Sequence, residues 1–164
     1  MFNGMSDWVT VPDAGSLDLT TRMTLEAWVF PTATLSGFRD LISKEQTGGI
    51  AYSLYANGTG NVPATGVFTG GAEQRLFGTA TLPLNVWTHL AATYDGAQQR
   101  LYVNGVPVAT RAQTGSIAVS GSPLRFGGHA VRSEFFKGRI DEVRVYNRAL
   151  LQSEIQADMT RPVP

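Results

Sequence analysis

Cysteine is absent from this 164-residue chain. That excludes a disulfide framework, a thiol nucleophile and thiolate-ligated zinc. Charge is scarce too: Asp, Glu, Lys and Arg supply 16 % of the residues, and 13 basic side chains balance 13 acidic ones. Without a basic surplus or a run of Lys and Arg, the chain lacks the electrostatic footprint of a nucleic-acid binder. No apolar stretch approaches the ~18 residues of a membrane span. Histidine occurs twice, at His89 and His129, so imidazole chemistry has two candidate positions at most. What is abundant is glycine, at 18 residues, with hydrophobic residues at 43 %. Low charge with many Gly, Thr and Val residues fits short strands joined by tight turns. At this length roughly 70 % of the unfolded chain's surface can be buried, so a core needs no metal or disulfide to hold it. Met1 to Gly4 run directly into patterned sequence, and Thr160 to Pro164 read as the start of a linker. Residues 1–159 are therefore expected to form one domain of a longer protein.

The pattern has period two almost throughout. In residues 23–30, Met23, Leu25, Ala27 and Val29 take one face of a strand, and Pro31 closes it. Further strands are expected over 38–44, with Leu41 and Ser43 opposed to Asp40 and Ile42, and over 50–55, stopped by Asn57-Gly58. Weaker ones cover 65–69 and 74–78. Residues 87–94 (Trp-Thr-His-Leu-Ala-Ala-Thr-Tyr) form the clearest run, and Trp28 and Trp87 are expected in the core. His89 sits mid-strand and reads as a packed residue. Strands at 99–103 and 106–110 flank Asn104-Gly105, the pair that a type I′ hairpin turn selects because both residues need positive φ. Later strands cover 124–127 and 138–146. In the last, regular alternation groups Asp141 with Val143 and Val145, unless a bulge at Asp141-Glu142 shifts the phase. One short helix is expected over 153–158, with Ser153 as its N-cap and Glu154 in its first turn. Short strands punctuated every eight to twelve residues, without alternating helices, predict an all-β sandwich or barrel. No Gly-x-Ser-x-Gly elbow and no His-Glu-x-x-His metal motif is present.

Four segments together resemble a known family. They are Phe2-Asn3-Gly4-Met5-Ser6-Asp7-Trp8-Val9, Thr24-Leu25-Glu26-Ala27-Trp28-Val29, Trp87 to Gly96 followed by Leu101-Tyr102-Val103-Asn104-Gly105, and Gly138 to Tyr146 with Asn147-Arg148-Ala149-Leu150 and Glu154-Ile155 after it. In this order they resemble the laminin G-like, concanavalin A-like jelly-roll domains of bacterial extracellular proteins. The resemblance implies a two-sheet antiparallel jelly roll and a secreted or cell-surface location. Some relatives on this fold are glycoside hydrolases, whose catalytic carboxylates sit on one strand in a Glu-x-Asp-x-x-Glu spacing. None of the six Glu residues here has that spacing, and the adjacent Asp141 and Glu142 would point to opposite faces of a regular strand. The resemblance also implies a structural calcium where the first and last strands meet, with Asn3, Gly4, Asp7 and Asp141 as the matching positions. Calcium takes six to eight oxygens. Asn3 stands where the family commonly has Asp, and an Arg-paired Asp141 and a turn role for Asp7 compete with the metal reading.

A sugar site needs aromatic faces and a few placed polar groups. Tyr55, Asn57, Arg75, His129 and Arg132 are the candidates, with Phe68 and Phe135 beside them. The competing readings are sheet packing for the aromatics, a turn role for Asn57, and plain solvent exposure for Arg75, His129 and Arg132. The expected function is a non-catalytic module of a secreted bacterial protein that binds carbohydrate or supports adhesion, with neighbouring domains of the parent protein as further partners. A structural spacer or protein-interaction domain without a glycan site is the alternative from another class. A divergent glycosidase is the third.

Overall fold

The computed structural model describes residues 1–163, and Pro164, the last residue of the expected linker, lies outside them. The strands run β1 (Phe2–Asn3), β2 (Val9–Val11), β3 (Met23–Pro31), β4 (Arg39–Gln46), β5 (Gly49–Asn57) and β6 (Ala64–Thr69). They continue as β7 (Ala72–Phe77), β8 (Thr88–Tyr94), β9 (Gln98–Val103), β10 (Val106–Ala112), β11 (Leu124–Phe126) and β12 (Lys137–Tyr146), and helix α1 (Gln152–Asp158) follows. The first sheet has the order β1-β12-β3-β8-β9-β10 and the second β2-β11-β4-β5-β6-β7. Every pairing is antiparallel. Two such sheets packed face to face, with chain crossovers between them, are a jelly-roll sandwich.

The core lies between the sheets. Met23, Leu25, Ala27 and Val29 on β3 face Tyr52, Leu54 and Ala56 on β5 and Val67 on β6, all within one buried cluster. Each fully buried Leu or Val there stabilises the fold by ~1.5–3 kcal/mol. Two buried phenols are capped by backbone oxygens: Tyr52 donates to Leu17 at 2.9 Å and Tyr94 to Gly115 at 2.6 Å. Asn104 has φ of +49° and Gly105 +71°, as the hairpin turn between β9 and β10 requires.

Three expectations fail for local reasons, and the open phase of β12 is decided. Leu41 and Ile42 both enter the core, because the β4–β5 register slips between Asp40 and Ile42. Asp40 and Ser43 then share the outer face, where the Ser43 hydroxyl donates to Asp40 at 3.0 Å. On β12 the bulge is real: the register shifts between Asp141 and Arg144, and Glu142 has φ of +52°. Ile140, Val143 and Val145 therefore all pack on the core, and Asp141 is exposed. Trp28 and Trp87 are not core residues. They lie on the outer face of the first sheet, Trp28 against His89 and the 38 %-exposed Trp87 against Phe30. Helix α1 is capped by Leu151 rather than Ser153, with the Glu154 carboxylate accepting from the Leu151 amide at 2.7 Å. β1 and β2, too short to show a period, have no strand signal of their own.

Candidate functional site on the outer face of the second sheet

Asn3, Gly4 and Asp7 meet in one turn after β1. The Asn3 side-chain oxygen accepts the amides of Met5 (2.8 Å), Ser6 (2.9 Å) and Asp7 (3.2 Å). Asp7 accepts the Asn3 backbone amide and side-chain amide, each at 2.9 Å. Gly4 has φ of +76° and passes so close to β12 that an added Cβ would lie 2.7 Å from that of Lys137. Asp141 is not part of this turn. Asn3 pairs with Lys137 and Asp141 with Trp28, so Asp141 sits four residues along β12, about 13 Å away at ~3.3 Å per residue. The four positions expected to bind calcium do not form one ligand set. Asn3 and Asp7 are closed on one another by hydrogen bonds, Gly4 lies in the turn between them, and Asp141 faces solvent. Among the described residues no group of three or more His, Asp or Glu is placed to hold a metal ion.

The five ligand candidates divide differently. Asn57 is buried at the end of β5, where its amide donates to the Gly37 carbonyl at 2.6 Å and ties down a turn. Tyr55, Arg75, His129 and Arg132 gather on the outer face of the second sheet. Alternation puts Tyr55 and Ser53 of β5 there, beside Gly66 of β6 and Arg75 and Glu73 of β7; Ser53, Gly66 and Arg75 pair directly across the three strands. Residues 127–136 cross the same face. The Ala130 amide donates to Glu45 at 2.8 Å, and Asp40 donates its amide to the Glu134 carbonyl at 3.0 Å. His129, expected in solvent, is fully buried under this segment and paired with Glu134 at 2.9 Å.

The charges on this face are interlocked. One oxygen of Glu73 receives both Arg75, at 2.6 Å, and Arg132, at 3.2 Å. Arg125 faces Glu45 at 3.4 Å and also lies 4.8 Å from the centroid of the Trp8 ring, on which Phe135 stacks. Arg75 lies 4.4 Å from the centroid of Phe38, itself edge-on to Tyr55. Burial, reinforced by the charges of Glu134 and Glu45, holds the Asp40 carboxyl well above the usual carboxylate range despite the Ser43 hydrogen bond. Burial likewise pushes the Tyr55 phenol up, and the nearby Glu73 and Asp40 add to the effect. Within the cluster, buried polar atoms without a protein hydrogen-bond partner include Asp40 Oδ1, Ser53 Oγ, Tyr55 Oη, Glu73 Oε1 and Arg75 Nε. Such atoms are costly unless water or a ligand meets them.

Asp40, Ser53, Glu73, Glu134 and Phe38 belong to this site and carry no local sequence signal. Their strands are brought together by non-local pairing. One trace was available: Glu73 and Arg75 alternate on one short strand, which puts them on one face. The outer face of the first sheet has a buried ionisable pair of its own. Glu26 and His89 are both inaccessible, and neither side chain has a hydrogen-bond partner. Burial and the charge of Asp158 push Glu26 up to about 8, and burial with Arg144 pulls His89 down to about 4.

The chain belongs to the concanavalin A-like lectin/glucanase superfamily, whose family model matches residues 3–156. It is 43 % identical over 81 residues to pappalysin-1 of Mus musculus, a stretch that makes up 44 % of this chain and 5 % of that protein. It is 34 % identical over 100 residues to pentraxin-related protein PTX3 of Bos taurus, covering 53 % of this chain and 26 % of that one. The chain thus spans a small part of these relatives. In fold it is similar to domain 4 of AbnA, an extracellular arabinanase of Geobacillus stearothermophilus solved with arabinotriose. That match has a TM-score of 0.77 at 22 % identity and covers 95 % of this chain and 73 % of that one. It is also similar to the carbohydrate-binding module of a Ruminococcus gnavus sialidase bound to α2,3-sialyllactose, with a TM-score of 0.69 at 17 % identity over 93 % and 96 % of the two chains.

Proposed function

We propose that the domain is a non-catalytic carbohydrate-binding module of an extracellular or cell-surface protein, and that it binds through the outer face of the second sheet. The observation that carries this reading is one face that presents the partly exposed guanidinium groups of Arg75 and Arg132 beside aromatic rings, with Phe38 against Arg75. Trp8 and Phe135 extend the same face with aromatic surface. Sugar recognition combines hydroxyl-binding groups of both polarities with aromatic surface against the apolar face of the ring. The folds that carry arabinotriose and sialyllactose in the two neighbours support the same class of ligand. A glycan array followed by calorimetry tests it. Binding to at least one glycan, weakened about tenfold or more by Arg75→Ala in a variant that melts as the parent does, is the expected result. No binding across plant, algal and host glycans would overturn the reading.

A glycosidase is the second reading, favoured by one observation: a carboxyl that burial raises well above the usual carboxylate range (Asp40) shares a face with an ion-paired carboxylate (Glu73). Two features speak against it. β4 and β7 are three strand spacings apart, roughly 14 Å, whereas a glycosidase pair stands ~5–9.5 Å apart. Asp40 is also fully buried, with one oxygen engaged by Ser43. Turnover of any polysaccharide in a hydrolysis screen would reverse the assignment.

A further inference from the structure

Glu26 and Arg144 stand directly opposite each other where β3 pairs with β12, on the outer face of the first sheet. Cross-strand partners have Cβ atoms ~4.5–5.5 Å apart, and opposite charges so placed attract. These two make no ion pair. Both oxygens of the buried Glu26 lack a hydrogen-bond partner, and so does Arg144 Nη1. The Arg144 guanidinium is held elsewhere: it donates to Glu142 at 3.1 Å and to the carbonyl of Arg161. Both contacts belong to the docking of the C-terminal segment. Beyond α1, residues 159–163 turn back over β12, and the Val163 amide donates to the same Glu142 oxygen at 2.5 Å. The segment is thinly covered, with Arg161, Pro162 and Val163 all exposed. Between it and β12 lies a hollow of about 420 Å³, lined by Arg144, Tyr146 and Asp158 together with Arg161, Pro162 and Val163. The docking thus depends on a cation that is turned away from a buried carboxyl beside it.

We infer that residues 159–163 form a proton-linked clasp: they stay docked on β12 while Glu26 is neutral, and they are released when Glu26 ionises and Arg144 turns to pair with it. The groups around Glu26 are Arg144, Glu142 and Tyr146 from β12, His89 one diagonal step away on β8, Asp158 from α1 and Arg161 from the segment. With Arg144 engaged by the clasp, burial and the charge of Asp158 hold the Glu26 carboxyl up at about 8. Paired with Arg144 it returns to its ordinary 4.5 or below. Between those values docking takes up one proton from water, and release returns it. The docked form therefore loses ground as pH rises, by up to about tenfold per pH unit. His89, lowered to about 4 by burial and Arg144, stays neutral above pH 5 and takes no part.

Because the chain has no cysteine, Val163→Cys supplies a single attachment point for a nitroxide label, on a side chain that is 44 % exposed, and leaves the docking amide in place. The mobility of the label is read by electron paramagnetic resonance from pH 5 to pH 8, with circular dichroism to verify the fold at each pH. The labelled protein is compared with the same protein carrying Glu26→Gln or Arg144→Gln. With Glu26 and Arg144 both present, the label is expected to be restrained at pH 5. The ratio of mobile to restrained label should then rise with each pH unit, by about tenfold at most. Glu26→Gln removes the titrating proton and is expected to keep the segment docked at every pH. Arg144→Gln keeps a donor for the Arg161 carbonyl but no charge for Glu26, so its signal is expected not to change with pH. It also keeps the test decisive if Glu26→Gln does not fold. A mobile fraction that stays flat from pH 5 to pH 8 with both residues present overturns the inference. So does a pH response that persists in a folded Glu26→Gln or Arg144→Gln.

Discussion

Asn3 shows how one side chain sets local chemistry. Its oxygen gathers three amides, and its NH2 group donates to Asp7. A carboxylate in its place keeps the acceptor but loses the donor, and it sets two negative charges against each other. Asn3→Asp is therefore expected to cost about 1–3 kcal/mol in chemical denaturation. Glu26 and His89 lend themselves to a pH experiment. The folded value of Glu26, about 8 against 4.5, means that its stabilising contribution is full below pH 4.5 and lost as pH rises through 8. His89, lowered to about 4 from 6.5, contributes stability above pH 6.5 that is lost as pH falls towards 4. The two slopes oppose each other between pH 4.5 and 6.5, and only that of Glu26 acts above. Glu26→Gln should therefore gain on the wild type as pH is raised from 5 to 8, by up to about 1.4 kcal/mol per pH unit. Urea unfolding across that range reads the difference, and a difference that stays flat with pH would mean Glu26 is ionised in the folded protein.

At the scale of elements, the C-terminal segment is held to the first sheet by few but specific contacts. Thr24 on β3, fully buried, donates its hydroxyl to the Arg148 carbonyl at 2.8 Å and accepts the Leu150 amide at 2.9 Å. Leu150 and Ile155 then pack with Ala91 and Tyr102 in a small cluster outside the main core. Gln152 and Gln156 both donate to the Gly105 carbonyl, which fastens α1 to the β9–β10 turn. Beyond the helix the chain turns back to β12, where the Val163 amide donates to Glu142 at 2.5 Å. Thr24→Val keeps the shape and leaves the Leu150 amide and Arg148 carbonyl without partners. The expected loss is about 2 kcal/mol, with amide exchange accelerated selectively over residues 150–158. Unchanged exchange there would show that α1 is held by its apolar contacts alone.

For the whole molecule, closure of the first sheet is made at the β1–β12 junction. That junction is made by two backbone pairs, the Gly4 approach to Lys137 and the Asn3–Asp7 turn. Melting temperatures in calcium and in EDTA are expected to coincide. A shift of several degrees would reveal a cation site that these residues do not form in this conformation. The closure also decides which polar residues meet. Asp40, Ser53, Tyr55, Glu73 and Arg75 come from three strands of one sheet, β4, β5 and β7, and residues 127–136 roof them over. Their separation in sequence says nothing of this, because a sheet assembles its faces from residues tens of positions apart.

The sequence by itself determined the longer strands, the Asn104-Gly105 hairpin, the alternation of β3 and the family, because period two and turn chemistry are local and survive without the fold. It named Tyr55, Arg75, His129 and Arg132 as polar or aromatic candidates, and it named the Asp141-Glu142 bulge as one of two phases for β12. Only the tertiary structure chose between those phases. It also moved Asp141 away from Asn3, turned Trp28 and Trp87 outward, and locked Glu73 between two arginines. Those outcomes depend on register slips and on pairing between distant strands. A slip of one residue sends a side chain to the opposite face, and no local pattern records on which residue it falls.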